Sequence, residues 1–421
     1  MRIITDIIDQ YAEEAAFLWF LRDRAVSEPH YDLSDLADLD SRVEAHIDGL
    51  RLAGDPGWMT CERALALEEP GEVFAAGVLA FESDDLKRIE TVLSKAATER
   101  NLQRALVSAL GWIDFDRIAH LAQKLITANY PFLKYLGIAA FAVHRQDPGV
   151  LLEQNIHHAD PALRARALKA VAELGRIELC QPIRDHFQDG DAKCQFYAAW
   201  AAALAGDPHA ISVLTTIVHS PTLYACRACD MVVRKMAPAS VLNWLEQLFA
   251  QPERSRMAIL GYGALGDPVI VPWLIEIMRV PELSRPAGES FSLITGVDIA
   301  DAALEGECPC DFEIGPTEDP EDENVDLDPD EDLPWPDPEL IQEWWFRNEN
   351  RFKPGMRYLL GNPICGKTCQ RVLRTGFQRQ RAAASVELAI MNPGQPLFEI
   401  RAKGVQQQRM LGASQRVGLH S

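Results

Sequence analysis

A recurring helix ending is the feature that most constrains how this chain folds. Helical patterns in its middle part stop at intervals of 30 to 33 residues. The endings are Leu110-Gly111, Val143-His144, Leu174-Gly175, Leu204-Ala205-Gly206, Met236-Ala237 and Leu265-Gly266. A period of this length, with two helical patterns per unit, is typical of helix pairs that stack and bury each other's apolar faces. The sequence therefore predicts an all-α fold, an α-solenoid of stacked antiparallel helix pairs.

The clearest single repeat begins at Asp160-Pro161. Aspartate is a good N-cap, and proline fits the first helical turn, where its missing amide is not needed. Gly175 can adopt the left-handed conformation that ends a helix. We therefore expect a first helix from residue 161 to the Leu174-Gly175 ending, and a second helix over residues 180–187.

Charge is concentrated in one segment of the chain. The formal net charge is −21, and residues 301–343 hold 18 acidic side chains with no Lys or Arg. Low aliphatic content, prolines and like-charge repulsion predict that this acidic segment is a long, largely irregular loop. Nucleic acid is a disfavoured partner, because binding a phosphate polymer requires a basic stripe. A protein partner with a basic surface fits the charge better.

Two interpretations of the acidic segment remain open. It is either a solvated linker between helical parts or a charged docking element with tryptophan anchors at its far end. Under the second interpretation, the candidate partner-binding residues are Asp319, Glu321, Asp322, Glu323, Asp326, Asp328, Asp330, Glu331, Asp332, Trp335, Trp344 and Trp345. The same aromatic rings would serve equally well to cap the helix stack.

Composition bears on the class and location of the protein. No apolar run approaches the roughly 18 to 20 residues needed to cross a bilayer, and no secretory leader pattern is recognisable. The nine cysteines are an odd number scattered over a long chain, which points to reduced thiols rather than a disulfide framework. We expect a cytoplasmic protein that does not bind membranes.

These patterns predict four successive parts. They are an N-terminal helical cap (1–57), a repeat array (58–285), an acidic and largely irregular insertion (286–343) and a C-terminal helical region (344–421).

One motif suggests nucleotide binding. The stretch GNPICGKT, residues 361–368, fits the phosphate-loop pattern at Gly361, Gly366, Lys367 and Thr368. A working phosphate loop needs a buried strand before it, a helix after it and a later acidic residue for magnesium. No downstream strand ending in Asp is recognisable here. Nucleotide binding is therefore kept only as an alternative, and we expect no cofactor and no enzymatic activity.

Two further groups resemble reactive or metal sites. Cys308, Cys310, Cys365 and Cys369 have the residue type of a four-thiolate zinc site, but neither half has zinc-knuckle turn chemistry, so we expect no metal. His157 and His158, followed by Asp160, resemble an acid–base pair. A turn between repeats explains that sequence better.

The Asp-Pro corners and paired helices of residues 100–280 resemble HEAT repeats, a family of scaffolds for protein partners. The whole chain further resembles a family of bacterial HEAT-like proteins often associated with type VI secretion genes. The stretches that carry this wider likeness are WPDPELIQEWW (335–345), RYLLGNP (357–363) and GFQRQRAAASVELAIMNPGQPLFE (376–399). The resemblance implies an immunity protein that neutralises a secreted effector toxin, with nuclease toxins as the natural guess. An adaptor or chaperone that loads an effector is the alternative.

Overall fold

The computed structural model describes residues 5–97, 99–309, 312 and 328–417. The chain divides into two compact units, which we call unit 1 (residues 1–207 with 373–421) and unit 2 (residues 208–372). Residues 344–421, predicted as one C-terminal region, contribute to both units. None of the described helices combines the length and the apolar character that spanning a bilayer requires.

Unit 1 is built from α-helices with short 3-10 turns. Its α-helices are α1 (Thr5–Ala25), α2 (Leu33–Ala53), α3 (Asp55–Ala64), α4 (Pro70–Ser83), α5 (Leu86–Ala96), α6 (Arg100–Trp112), α7 (Phe115–Ile126), α8 (Pro131–Val143), α9 (Val150–Glu153), α10 (Pro161–Leu174), α11 (Cys180–Ile183), α12 (Ala192–Leu204), α21 (Gln378–Met391) and α22 (Gly404–Val417). Its 3-10 turns are Leu65–Leu67, Ile177–Leu179 and Arg184–His186.

Alternate helices of unit 1 form a continuous layer. Helix α4 packs on α6, α6 on α8, α8 on α10, and α10 on α12. Helices α10 and α12 are rich in alanine, and every residue of α12 from Phe196 to Leu204 is buried. Small side chains allow adjacent helices to approach closely, and the burial of their larger neighbours supplies the stabilisation. We call these five helices the inner layer of unit 1.

The predicted repeat at Asp160 is confirmed. The Asp160 carboxylate accepts a hydrogen bond from the Leu163 amide at 2.9 Å, and Gly175 ends α10 with φ of +69°. The second helix of this repeat is less regular than expected. Only Cys180–Ile183 is α-helical, and a 3-10 turn lies on each side. Pro182 lies inside this segment and lacks the amide that a longer regular helix needs.

Unit 2 is also helical and contains one minimal hairpin. Its α-helices are α13 (His209–Val218), α14 (Ala225–Lys235), α15 (Pro238–Phe249), α16 (Ser255–Leu265), α17 (Val271–Ile277), α18 (Pro281–Thr295), α19 (Pro338–Asn348) and α20 (Gly366–Thr375), whose last turn passes the boundary between the units. Its 3-10 turns are Pro252–Arg254, Pro268–Ile270 and Glu349–Arg351. Strands β1 (Tyr358–Leu359) and β2 (Asn362–Pro363) pair antiparallel.

Helix α18 extends beyond the predicted end of the repeat array. The array was expected to stop at residue 285, but α18 continues through Pro286 to Thr295. Phe291 and Ile294 are fully buried in the core of unit 2. Burial of these side chains outweighs the hydrogen bond that proline removes from a helix interior.

A later segment of unit 2 covers the ends of two of its helices. The Tyr358 amide donates to the carbonyl oxygen of Gly266 at 2.8 Å, and the Leu360 amide donates to that of Leu293 at 2.8 Å. The last carbonyls of a helix have no partner within the helix, so an external donor stabilises that end. Residues 358–360 therefore cap α16 and α18.

The fold class is all-α, and the stacked helix pairs are those of an α-solenoid, as predicted.

Candidate functional site on the helix surfaces

The inner layer of unit 1 presents a row of polar side chains at equivalent positions of successive repeats. Tyr135 on α8, Arg166 on α10 and Tyr197 on α12 are each separated by 31 residues. This interval equals the repeat length, so the three side chains lie side by side on neighbouring helices. Their charges and hydroxyls interact with one another. Repeat proteins use the exposed faces of neighbouring helices as extended binding surfaces, but Arg166 and Tyr197 themselves are buried.

Glu173 supplies the negative charge that pairs with Arg166 in this row. Its carboxylate forms an ion pair with Arg166 and a second with the Lys169 ammonium at 3.2 Å. Burial alone would raise the pKa of Glu173, but the positive charges of Arg166, Lys169 and Arg145 outweigh that effect and hold the pKa far below its usual value. The carboxylate is therefore ionised across the physiological range.

A histidine pair links two repeats of unit 1. His157 Nδ1 lies 2.9 Å from His186 Nε2, and His186 Nδ1 lies 2.9 Å from the Asp189 carboxylate. Arg164 donates two hydrogen bonds to the same carboxylate, at 2.9 and 3.0 Å. His158, the sequence neighbour, instead accepts the Asp160 amide through Nδ1 at 3.0 Å. The partner of His157 thus lies in the next repeat, and the histidines form an interrepeat contact.

Part of the acidic segment is tied to the helices of unit 2. Asp328 forms an ion pair with Arg285 at 2.5 Å. Asp330 is 5% exposed, and its carboxylate accepts two hydrogen bonds from Arg256, at 2.5 and 2.9 Å. Arg285 also donates to the backbone oxygen of Asp330 at 2.9 Å. These two aspartates hold the end of the segment in place, whereas Glu331 and Asp332 are exposed.

The tryptophans predicted as interface anchors are buried or half-buried in unit 2. Trp345 is 8% exposed and packs against Phe352, and Trp344 packs edge-on against Phe291. The Trp335 ring is half-buried, and the guanidinium of Arg285 lies 4.6 Å from its centroid. These packing contacts are those expected of rings that cap the helix stack.

The remaining predicted partner-binding residues lie outside the described residues. They are Asp319, Glu321, Asp322, Glu323 and Asp326. Their role in binding stays a prediction.

The GNPICGKT stretch does not have the geometry of a phosphate loop. Its Asn362 and Pro363 form β2, a two-residue strand that lies inside the motif rather than before it. The Thr368 hydroxyl donates to the carbonyl oxygen of Pro363 at 2.8 Å and is therefore engaged within the loop. Gly366 does begin helix α20, and Lys367 is exposed. The strand that precedes the motif, β1, is buried but only two residues long, and it pairs antiparallel with β2 inside the motif. The motif therefore lies at a hairpin and does not follow a longer buried strand, as a phosphate loop does.

The candidate zinc cysteines differ in their environments. Cys308 is exposed, Cys369 is fully buried and Cys310 lies outside the described residues. Cys365 is exposed, and its hydrogen bonding with Thr368 and with the Lys367 amide lowers the pKa of its thiol. Within the described ranges, no group of three or more potential ligands is arranged to hold a metal ion.

Sequence analysis did not identify the two arginines that hold the acidic segment or the polar row on the inner layer. Arg256 and Arg285 are separated from their aspartates by 74 and 43 residues, and no local pattern links them. The polar row did leave a signal, because Tyr135, Arg166 and Tyr197 recur at the repeat interval. Aligning the repeats with one another would have revealed it.

Comparison with known proteins agrees with this architecture. Residues 150–229 match the family model for HEAT repeats. No curated protein and no solved structure matches the chain. The matched residues include α10 and α12, which carry much of the polar row.

Proposed function

We propose that this protein is a binding scaffold that neutralises a type VI secretion effector toxin by forming a stoichiometric complex with it. The observation that supports a binding role most directly is the match of residues 150–229 to HEAT repeats, which commonly mediate protein interactions. Stacked helix pairs give such proteins a long continuous surface for a partner. The link to type VI secretion rests on the resemblance of the chain to a bacterial HEAT-like family.

The acidic segment supports a partner with a basic surface. Glu305, Glu307 and Glu331 are exposed in its described part, whereas Asp328 and Asp330 are paired with arginines. Exposed negative charge accelerates association with a positive partner and improves specificity. A nuclease toxin has a basic substrate cleft, which such a segment would cover. We place the complex in the cytoplasm of the producing cell.

A deletion experiment tests this role. Removing the gene from a producing strain should make it sensitive to one of its own effectors, and a plasmid copy should restore protection. If the deletion strain remains resistant to every effector it produces, neutralisation is ruled out.

The adaptor hypothesis predicts a different deletion phenotype. Loss of an adaptor would abolish delivery of the effector to a target strain and leave the producer unharmed. Measuring killing of a sensitive target strain alongside self-sensitivity therefore separates the two roles.

The nucleotide-binding alternative has little structural support, because Thr368 is bonded within its own loop. We expect no saturable ATP binding by either the parent protein or Lys367→Ala. Saturable binding by the parent that is lost in Lys367→Ala would establish the alternative.

A further inference from the structure

Four basic side chains of unit 1 lie close together on the inner layer. We call them the cationic cluster: Arg100 of α6, Arg166 and Lys169 of α10, and Lys193 of α12. Lys193 interacts electrostatically with the other three, and the Lys169 ammonium lies 5.9 Å from the centroid of the Tyr197 ring. Helices α6, α10 and α12 thus bring four positive charges near one another in a chain whose net charge is −21.

The cluster holds more positive charge than its carboxylate neutralises. Glu173 pairs with Arg166 and Lys169. Among the described residues, neither Arg100 nor Lys193 has a carboxylate within ion-pair distance. Lys193 is half-buried, and burial lowers the pKa of its ammonium, with Arg100, Lys169 and Arg166 lowering it further. The cluster therefore lacks at least one negative group.

One donor atom of the cluster is also left without an acceptor. Arg166 is 6% exposed, and its Nε has no hydrogen-bond acceptor within the described residues. A buried donor without an acceptor destabilises the folded state. The side chains of Tyr135 and Tyr197 interact electrostatically with Arg166. An incoming carboxylate would accept from the more exposed members of the cluster, which are Arg100, Lys169 and Lys193.

We propose that the cationic cluster binds carboxylate side chains of an acidic segment of a protein partner. The cluster already holds the carboxylate of Glu173, so its geometry suits this group. A nucleic acid would be repelled by the net charge and needs a longer basic stripe. This inference goes beyond the proposed function, because it concerns a surface of opposite charge from the acidic segment. The inference does not depend on the proposed role in type VI secretion.

The test uses the full chain and a fluorescein-labelled oligoglutamate peptide at low ionic strength. Fluorescence anisotropy should show binding by the parent protein that weakens steeply as salt is added. We expect Lys193→Gln and Arg100→Gln each to weaken binding about tenfold, equivalent to about 1.4 kcal/mol. Lys193→Arg retains the charge and should bind within about twofold of the parent.

Lys124→Gln is the matched control. Lys124 is an exposed lysine on α7, outside the cluster, and its removal changes the net charge equally. It should leave peptide affinity within about twofold of the parent. If Lys124→Gln weakens binding as much as Lys193→Gln does, or if the parent does not bind at all, the proposal is overturned.

Two further measurements complete the test. Unlabelled oligoglutamate should displace the probe at lower concentration than inorganic phosphate or a single-stranded oligonucleotide, and displacement in the reverse order would overturn the carboxylate assignment. Thermal unfolding of each variant checks the fold. Removal of Lys193 relieves repulsion within unit 1, so a misfolded Lys193→Gln is not expected. If it does misfold, the charge-retaining Lys193→Arg and the separate Arg100→Gln still decide the outcome.

Discussion

The backbone amide of Leu397 donates a hydrogen bond to the carbonyl oxygen of Glu173, at 3.0 Å. A segment near the end of the chain thereby covers the C-terminal end of α10 within unit 1. Gly175, which ends this helix, has a φ of +69°, and a Cβ there would lie 2.6 Å from the Gln395 backbone oxygen. The glycine is therefore required both by its own conformation and by the closeness of the later segment.

Gly175→Ala should accordingly be more damaging than an ordinary glycine substitution at a helix end. The left-handed conformation costs alanine about 1 kcal/mol, and displacement of residues 394–395 adds to this, giving about 2–4 kcal/mol in total. Gly206→Ala is the control, because Gly206 has a φ of +92° but nothing within 4 Å of the added Cβ. Urea unfolding should show that the control substitution lowers the free energy of unfolding by about 1 kcal/mol. Equal losses for the two variants would show that the later segment does not constrain Gly175.

Arg22 and Asp40 form a buried ion pair that connects α1 with α2. Their exposed fractions are 6% and 3%, and Asp40 also accepts the Gly404 amide at 2.6 Å. Asp40→Ala should lower the free energy of unfolding by about 3–5 kcal/mol, because it leaves the arginine charge buried without a counter-charge. Adding Arg22→Met to the Asp40→Ala variant should lower the free energy of unfolding only slightly further. The double-mutant cycle should give a coupling of about 1–3 kcal/mol in urea unfolding, whereas strictly additive losses would argue against the pair.

Asp189 should contribute to acid sensitivity. Burial opposes its ionisation, but hydrogen bonds from Arg164, from the Asp191 amide and from His186 outweigh this and hold its pKa at about 2. A depressed carboxyl pKa stabilises the fold above the unfolded value of about 3.9, and the stabilisation is lost as pH falls toward the folded value. Asp189→Asn should lower stability by about 1–3 kcal/mol at pH 7.

Thermal unfolding of the parent and Asp189→Asn at several pH values checks this. The gap between their melting temperatures should narrow between pH 4 and pH 2. A gap that stays constant over that range would mean that the carboxylate charge is not the source of the stabilisation.

Lys193→Met should stabilise the protein at neutral pH. The pKa of Lys193 is lowered in the folded state, so the folded chain holds this proton less tightly than the unfolded chain does. The resulting destabilisation of the folded state is fully present below the lowered pKa. It disappears as pH rises toward the pKa of lysine in the unfolded chain, about 10.4. The melting temperature of Lys193→Met should therefore exceed that of the parent at pH 7, with a smaller difference near pH 10. A lower melting temperature at pH 7 would contradict the charge imbalance in the cluster.

Local signals were enough to predict the helix pairs. The cap at Asp160 and the ending at Gly175 were both predictable, because each depends on the conformation of one residue and its near neighbours. Contacts between distant residues were not predictable. No pattern around Glu173 indicates that Leu397 covers its helix end, and the same holds for Tyr358 at Gly266.

The same difference between local signals and contacts between distant residues applies to the candidate site. Charge counting identified the acidic segment correctly as a concentrated negative feature, but it could not distinguish the exposed Glu331 from Asp330, which Arg256 neutralises. Similarly, composition alone cannot separate a buried Trp345 from an exposed anchor. Which acidic or aromatic side chains face solvent depends on tertiary contacts, and these are set by residues far away in the sequence.

The central claim is that this helical array binds a protein partner stoichiometrically. A calorimetric titration tests this claim most directly. The full chain should be titrated with the effector to which the deletion strain becomes sensitive. We expect saturation at one effector per chain with a Kd below about 1 μM. Binding weaker than micromolar, or the absence of saturation, for every effector of the producing strain would contradict the claim.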